Sequence, residues 1–148
     1  MKFKIILLLT TILMFGCATV PKASQADEIE AKQFLISDTE SSIYIFRSGG
    51  IIGAALAFQI SVDGKLLGSI SPKTFHMVKV KPGNHSISVI TNENNDFENI
   101  TTKAGENYYF KVSPKMGVVT GRAGLTMVSQ EEGMEMVKKS KLIKSMIY

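Results

Sequence analysis

The chain contains a single cysteine, Cys17, and the residues before it decide which chemistry its thiol can do. A lone thiol has no partner for an intramolecular disulfide. Cys17 directly follows Gly16, at the end of an apolar and threonine-containing run over residues 5–15 that Lys2 and Lys4 precede. A short basic region, a hydrophobic segment and a small residue before the cut site are the parts of a secretory signal. The run is also too short to span a hydrocarbon core, which requires about 20 residues.

Residues 13–17 (Leu-Met-Phe-Gly-Cys) resemble the lipobox of bacterial lipoproteins, whose cysteine takes a diacylglyceryl thioether before cleavage. The resemblance implies that Cys17 is the lipidation site and that membrane lipid is a partner through the acylated cysteine. Because this modification supplies two or three acyl chains, it implies permanent anchoring, whereas one chain gives only marginal affinity. In Gram-negative sorting an Asp after the cysteine favours the inner membrane, so Ala18 implies the outer membrane, with the domain facing the periplasm.

The two histidines, His76 and His85, are the residues most suited to acid–base or metal chemistry. If residues 81–84 form a hairpin turn, Val80 pairs with His85 and His76 pairs with Val89. The histidines are then several pairs apart, with no Cys, Asp or Glu cluster at metal-ligand spacing. A serine nucleophile would also need a base within hydrogen-bonding reach. We therefore predict no catalytic residue, no metal and no cofactor, with both histidines on a strand surface or beside a turn.

A glycine-rich segment over residues 117–124 superficially resembles a phosphate-binding loop. A Walker loop ends in Gly-Lys-Ser/Thr and lies between a strand and a helix, whereas Arg122-Ala123 stand here. Glycine-interrupted β-structure is the favoured interpretation. Arg47 and Arg122 are the only arginines, and either could hold a carboxylate such as those of peptidoglycan stem peptides. Pairing with Asp or Glu at a strand end is favoured for both.

The elements that must position these residues are mostly short strands bounded by turns. Asp63-Gly64 is a strong hairpin signal, and Pro82-Gly83 suits a type II turn. Ser129 can cap a C-terminal helix that begins with acidic and ends with basic residues. The pattern predicts an all-β fold, an antiparallel β-sandwich of about seven or eight strands with a short C-terminal helix. The predicted strands cover residues 42–47, 58–62, 66–70, 74–80, 85–91, 97–103, 107–113 and 118–128, the last as one strand or two.

Three further segments bear on binding. Residues 48–57 (Ser-Gly-Gly-Ile-Ile-Gly-Ala-Ala-Leu-Ala) are apolar and glycine-rich; packing over the sandwich edge is favoured over an exposed patch for a partner or a bilayer. Tyr108 and Tyr109 are adjacent in a strand, so their rings point to opposite faces and cannot form one stacking platform. Met134, Met136 and Met146 are expected to cover the open end of the sandwich.

Composition limits the class of partner. The formal charge of the 148 residues is +4, with 17 basic and 13 acidic residues, and removal of residues 1–16 takes two of the lysines away. A nucleic-acid partner would need a basic stripe with interleaved aromatic residues, which is absent from the sequence. We predict a signal peptide over residues 1–16, a lipidated flexible tether over residues 17–38 and one β-sandwich domain over residues 39–148. A weak helical turn or two over residues 27–34 is the alternative within the tether.

Four segments occur in a fixed order: residues 43–47 (Ile-Tyr-Ile-Phe-Arg), 62–68 (Val-Asp-Gly-Lys-Leu-Leu-Gly), 81–87 (Lys-Pro-Gly-Asn-His-Ser-Ile) and 104–112 (Ala-Gly-Glu-Asn-Tyr-Tyr-Phe-Lys-Val). This order resembles an uncharacterised domain-of-unknown-function family of small bacterial lipoproteins. The turn at Pro82-Gly83, followed by His85 and Ile87, also resembles PEGA-type β-sandwich modules. The resemblance reinforces fold and location and implies no catalytic residue.

These observations favour a non-enzymatic, membrane-anchored lipoprotein whose β-sandwich is a binding or structural module of the cell envelope. An envelope protein or peptidoglycan is the expected partner class. One alternative is a small envelope enzyme acting on cell-wall or lipid substrates, which would require a convergent polar site. Another is an envelope assembly factor that uses residues 48–57 as a partner patch.

Overall fold

A computed structural model describes residues 20–146, in which two β-sheets pack face to face. Within this range the chain forms nine strands and two short helices. The strands are β1 (Ser41–Arg47), β2 (Phe58–Val62), β3 (Lys65–Ile70), β4 (Thr74–Val80), β5 (Gly83–Ile90), β6 (Asn95–Thr102), β7 (Asn107–Lys115), β8 (Arg122–Val128) and β9 (Lys141–Leu142); the helices are α1 (Gln25–Ala31) and α2 (Gln130–Lys138).

One sheet has the strand order β8-β7-β1-β4-β9 and the other has the order β3-β2-β5-β6. The all-β sandwich with a short C-terminal helix is thereby confirmed. The four-stranded sheet is antiparallel, as expected. The five-stranded sheet is mixed, because β1 pairs with β7 and β4 pairs with β9 in parallel. The strand beyond the predicted number is the two-residue β9.

The central strand β1 is buried on both faces, which explains its uninterrupted apolar sequence. Ile43 and Ile45 face the four-stranded sheet and belong to the core between the sheets. Tyr44 and Phe46 point the other way, into a second apolar cluster beneath the helices. The fold is thus a sandwich with an additional helical layer on its five-stranded sheet.

The two predicted hairpins have different outcomes. Asp63 and Gly64 both have positive φ, as a tight turn between β2 and β3 requires, and those strands pair as predicted. The predicted hairpin at Pro82-Gly83 is wrong. β4 pairs with β1 and β9, whereas β5 pairs with β2 and β6 in the other sheet. This turn therefore carries the chain from one sheet to the other, and neither Val80–His85 nor His76–Val89 is a pair.

The segment before residue 39, which we expected to be a flexible tether, is folded onto the domain over the residues that the structure describes. Ser24 caps α1 by accepting a hydrogen bond from the Asp27 N–H. The Tyr44 hydroxyl donates to the Ala31 carbonyl at 3.0 Å, and Phe34 lies against the Tyr44 ring with centroids 5.5 Å apart. The flexible-tether interpretation is wrong there because Ala31 and Phe34 have apolar partners in the second cluster, and the alternative of a short helix within residues 27–34 is closer to the observed α1.

The C-terminal helix begins where predicted, with the Ser129 hydroxyl accepting from the Glu132 N–H at 3.2 Å. Gly133 lies so close to the Tyr109 ring that a Cβ there would overlap it. Met134 and Met136 therefore pack on the outer face of the five-stranded sheet, and not over an open end. The Met146 N–H donates to the Leu67 carbonyl of β3, and its side chain is exposed, so the expectation is not met by Met146 either.

Neither helix within residues 20–146 is long and apolar enough to cross a membrane. The predicted signal peptide and its lipidated cysteine, Cys17, lie outside the described residues.

Candidate functional site

Two loops meet at the end of the sandwich where β1 ends and β2 begins. We name residues 48–57 the apolar loop and residues 116–121 the glycine loop. A Cβ added to Gly53 would lie 2.9 Å from the Pro114 side chain, and one added to Gly121 would lie 2.7 Å from Leu56 Cδ1. The apolar loop is therefore in direct contact with the β7–β8 connection, and the two loops form one surface.

Arg47 fixes the apolar loop from inside the protein. Its guanidinium donates from Nη1 to the Leu56 carbonyl and from Nη2 to the Gly53 carbonyl, both at 2.5 Å. The same group lies over the Phe58 ring, 4.6 Å from its centroid. Arg47 is 1% exposed, and burial lowers the pKa of its guanidinium. Arg47 was expected either to bind a carboxylate ligand or to pair with an Asp or Glu side chain. Both expectations are wrong, because its partners are the backbone carbonyls of the apolar loop.

Glu93 holds the glycine loop through hydrogen bonds from the loop's backbone N–H groups. Its carboxylate accepts hydrogen bonds from the backbone N–H groups of Val118 and Val119 at 2.7 Å, Gly121 at 3.2 Å and Thr120. Successive N–H groups that converge in this way form an anion-binding nest. These hydrogen bonds from Thr120, Val118 and Val119 lower the pKa of Glu93 to about 2. The nest is thus occupied by a carboxylate of the protein itself.

This nest explains why the glycine-rich segment resembles a phosphate loop. Its backbone does bind an anion, but the anion is the Glu93 side chain. The sequence predicted glycine-interrupted β-structure over residues 117–124. This is correct from Arg122 onward, where β8 begins, and wrong for residues 117–121, which form a loop. Arg122 Nε lies 3.5 Å from Glu93 Oε2, which agrees with the favoured pairing with an acidic residue.

The outer surface of both loops is apolar. Among the described residues the four most exposed large apolar side chains lie there: Ile51 at 96%, Met116 at 91%, Val118 at 85% and Val119 at 84%. Ile52 is exposed beside them. The sequence favoured packing of the apolar loop over the sandwich edge. This is correct for Leu56, which packs against the core, and wrong for the tip at Ile51 and Ile52, which is exposed.

His76 is a buried residue of β4 with no exposed surface. Its Nε2 lies 3.2 Å from the Ser69 carbonyl, while Nδ1 has no partner. Burial lowers the pKa of His76 to about 4, against the opposing effect of the Ser69 hydrogen bond. The imidazole is therefore neutral at pH 7, and the expectation of a strand-surface position is wrong for it.

His85 lies beside the β2–β3 turn and contacts a carboxylate, which the sequence analysis did not anticipate. Its Nδ1 is 2.7 Å from Asp63 Oδ2 and its Nε2 is 2.7 Å from the Lys81 carbonyl oxygen. Partial burial opposes the charged ring, but these hydrogen bonds outweigh it and raise the pKa of His85. Both ring nitrogens face acceptors, and only the protonated ring can donate to both. The turn-flanking position predicted for His85 is correct.

The tyrosine pair behaves as its strand alternation predicts. Tyr109 is 1% exposed and stacks on Tyr44 in the cluster beneath the helices, with centroids 5.1 Å apart. Tyr108 packs against the core on the opposite face of the sheet, and its hydroxyl donates to Glu106 at 2.5 Å. No shared stacking surface is formed by the two rings.

Within residues 20–146 no group of three or more His, Cys, Asp or Glu side chains is arranged to hold a metal ion.

Sequence reasoning missed Glu93 and Asp63 as structural anchors. Glu93 gave no signal because its partners are backbone groups 25 to 28 residues away.

Comparison with known proteins confirms the resemblance to an uncharacterised family. Residues 37–125 match the family described as protein of unknown function (DUF2846). An uncharacterized protein of Haemophilus influenzae is 38% identical over 129 residues, which cover 86% of this chain and 76% of that protein. The matched range contains every strand from β1 to β7, together with the apolar and glycine loops. On these grounds the chain belongs to the DUF2846 family.

Proposed function

We propose that the protein is a membrane-anchored bacterial lipoprotein whose β-sandwich is a non-enzymatic binding or structural module of the cell envelope. The observation that carries the proposal is Cys17, placed directly after Gly16 at the end of the hydrophobic run. Its acyl chains would hold the protein in the outer membrane, with the domain facing the periplasm. An envelope protein or peptidoglycan is the proposed partner class for that domain.

The geometry of the polar side chains supports a non-enzymatic module. The Arg47 guanidinium and the Glu93 carboxylate both bind the protein's own backbone. His76 is buried in its neutral form, so it cannot reach a substrate from solvent. These groups stabilise loops and core, and each would have to leave its present partner to act on a ligand.

The alternative of an envelope enzyme rests on the His85–Asp63 pair, which borders a shallow depression with Ser86 and Thr101. A general base requires an unprotonated ring nitrogen directed at the substrate. Both nitrogens of His85 already lie at hydrogen-bonding distance from acceptors, and its pKa is raised. The pair therefore fits a turn-stabilising role better than a catalytic one.

Metabolic labelling with radiolabelled palmitate tests the anchor. We expect the full chain to be labelled and Cys17→Ser to lose the label, because no other thiol is present. In a matched control, Cys17→Ser combined with Ser24→Cys restores a thiol beyond the hydrophobic segment and should remain unlabelled. Label that persists in Cys17→Ser would contradict the lipoprotein assignment.

A further inference from the structure

The exposed tips of the apolar and glycine loops form the largest concentration of exposed aliphatic side chains among the described residues. They come from two loops that are held in place from beneath by separate anchors, Arg47 and Glu93. Exposed apolar patches on a soluble domain mark sites of interaction with proteins or membranes. The five side chains are Ile51, Ile52, Met116, Val118 and Val119.

The path of the N-terminal segment indicates what covers these tips. Val20 borders the same surface depression as the β3–β4 turn at Ser71, Pro72 and Lys73. That turn adjoins the apolar loop, since a Cβ at Gly49 would lie 2.8 Å from Lys73 Cε. Val20, the first described residue, therefore lies at the end of the sandwich that carries the loop tips. Three residues span at most about 10 Å, so the acyl chains on Cys17 would lie close to this end.

The charges around the tips suit an anionic membrane surface. Lys22 and Lys73 are exposed at this end. Two carboxylates on the neighbouring β5–β6 connection and β6 are already bound: Glu93 accepts from the glycine loop, and Asp96 accepts from the Leu125 N–H at 3.0 Å. Basic side chains close to a membrane are attracted to anionic headgroups. Arg122 lies 3.5 Å from Glu93 and Lys115 lies 3.9 Å from Asp96, so the negative charges of both carboxylates are paired with basic side chains, and Lys22 and Lys73 add further basic charge at this end.

We propose that the apolar and glycine loops insert their tips into the leaflet that holds the acyl chains of Cys17. This inference rests on the lipid anchor in the proposed function and adds an orientation to it. Ile51, Ile52 and Val119 enter the interfacial region, while Lys73 lies at the headgroups. The sandwich then stands with its β2–β3 turn, at Asp63-Gly64, directed away from the bilayer.

The chain contains no tryptophan, so a single introduced indole reports on one position. We would place the full lipidated chain in vesicles of phosphatidylethanolamine and phosphatidylglycerol, with and without lipids brominated in the upper acyl chain. Ile51→Trp tests the loop tip. Leu35→Trp is the matched control, because Leu35 is also an exposed aliphatic residue and lies at the opposite end, beside Ser37, whose carbonyl accepts from the Gly105 N–H.

The expected result is a blue-shifted emission and a loss of intensity in brominated vesicles for Ile51→Trp, with neither change for Leu35→Trp. Flotation of the same vesicles measures the anchor separately. A chain that floats with the vesicles but shows no quenching at position 51 would overturn loop insertion and leave the anchor intact. The apolar tips would then be assigned to a protein partner.

A second variant keeps the two proposals distinguishable. In Cys17→Ser with Ile51→Trp, stable flotation should be lost, while the fraction that still binds should show quenching at position 51. If the chain with Cys17 does not float, the anchor proposal fails, whatever the indole reports. Equal quenching at positions 51 and 35 would overturn the proposed orientation.

Discussion

Replacement of Arg47 by leucine should destabilise the protein strongly, although the substitution puts an apolar side chain into a buried position. The guanidinium makes two charged hydrogen bonds to the carbonyls of Gly53 and Leu56, and it covers the Phe58 ring. Hydrogen bonds that involve a charged group contribute about 1.5–3 kcal/mol each. Release of the guanidinium from its buried site offsets part of that loss. We expect a net decrease in the free energy of unfolding of about 3 kcal/mol.

Urea denaturation of the chain from residue 20 onward, followed by circular dichroism, measures this difference. A loss of about 3 kcal/mol corresponds to a fall in Tm of roughly 10 °C for a domain of this size. Arg122→Leu is the matched control, because Arg122 is the other arginine and its side chain is 48% exposed. Exposed ion pairs contribute less than about 1 kcal/mol.

Proteolysis separates the local effect from the global one. With its two carbonyl anchors lost, the apolar loop should be cut faster in Arg47→Leu than in Arg122→Leu under conditions where both remain folded. If Arg47→Leu were as stable as Arg122→Leu, the buried guanidinium would not be holding the loop, and its hydrogen bonds to the Gly53 and Leu56 carbonyls would contribute nothing to stability.

Three further predictions concern other parts of the molecule. His76 has its pKa lowered to about 4 from 6.5, so the unfolded chain binds more protons below pH 6.5. Stability should therefore fall by up to about 3 kcal/mol between pH 6.5 and pH 4, and calorimetry should show a smaller fall for His76→Phe. The pKa of His85 is raised, so its contribution to the free energy of unfolding is present below pH 6.5 and is lost as the pH rises through the pKa of the folded state. An NMR titration of His85 should show this raised pKa and a lower one in Asp63→Asn. Tyr44→Phe removes the hydrogen bond to the Ala31 carbonyl, which should cost about 1 kcal/mol and speed hydrogen exchange in α1. Unchanged exchange there would contradict the packing of α1 on the sheet.

Local turn chemistry accounts for what could be predicted of the fold. Asp63 and Gly64 are residue types that adopt positive φ readily, as this tight turn requires. The β2–β3 pairing therefore depends only on residues that are close together in the sequence. Pro82-Gly83 gives an equally strong turn signal, but a turn does not specify whether its flanking strands pair. Here the flanking strands pair elsewhere: β4 pairs with β1 and β5 pairs with β2, through contacts between residues far apart in the sequence.

The candidate site was harder to predict because its anchors act on backbone atoms. Arg47 was identified as a candidate, but an arginine that binds carbonyls has the same sequence signature as one that binds a carboxylate. The composition of residues 48–57 indicated an unusual loop and left open which part is exposed. The answer depends on Leu56, whose carbonyl accepts from Arg47 and whose side chain packs on the core.

The parallel pairing of β1 with β7 has a consequence for how the chain acquires its structure. Ser42 lies opposite Asn107, so more than half of the sandwich must be synthesised before the second edge of β1 finds its partner. Such non-local pairings give a high contact order and slow folding, in the millisecond-to-second range for β-sandwiches. Until β7 arrives, β1 presents an apolar strand with an unpaired edge, which is prone to association with other chains. The first core strand to emerge is therefore among the last to be completed, and this nascent stage is the one most exposed to aggregation.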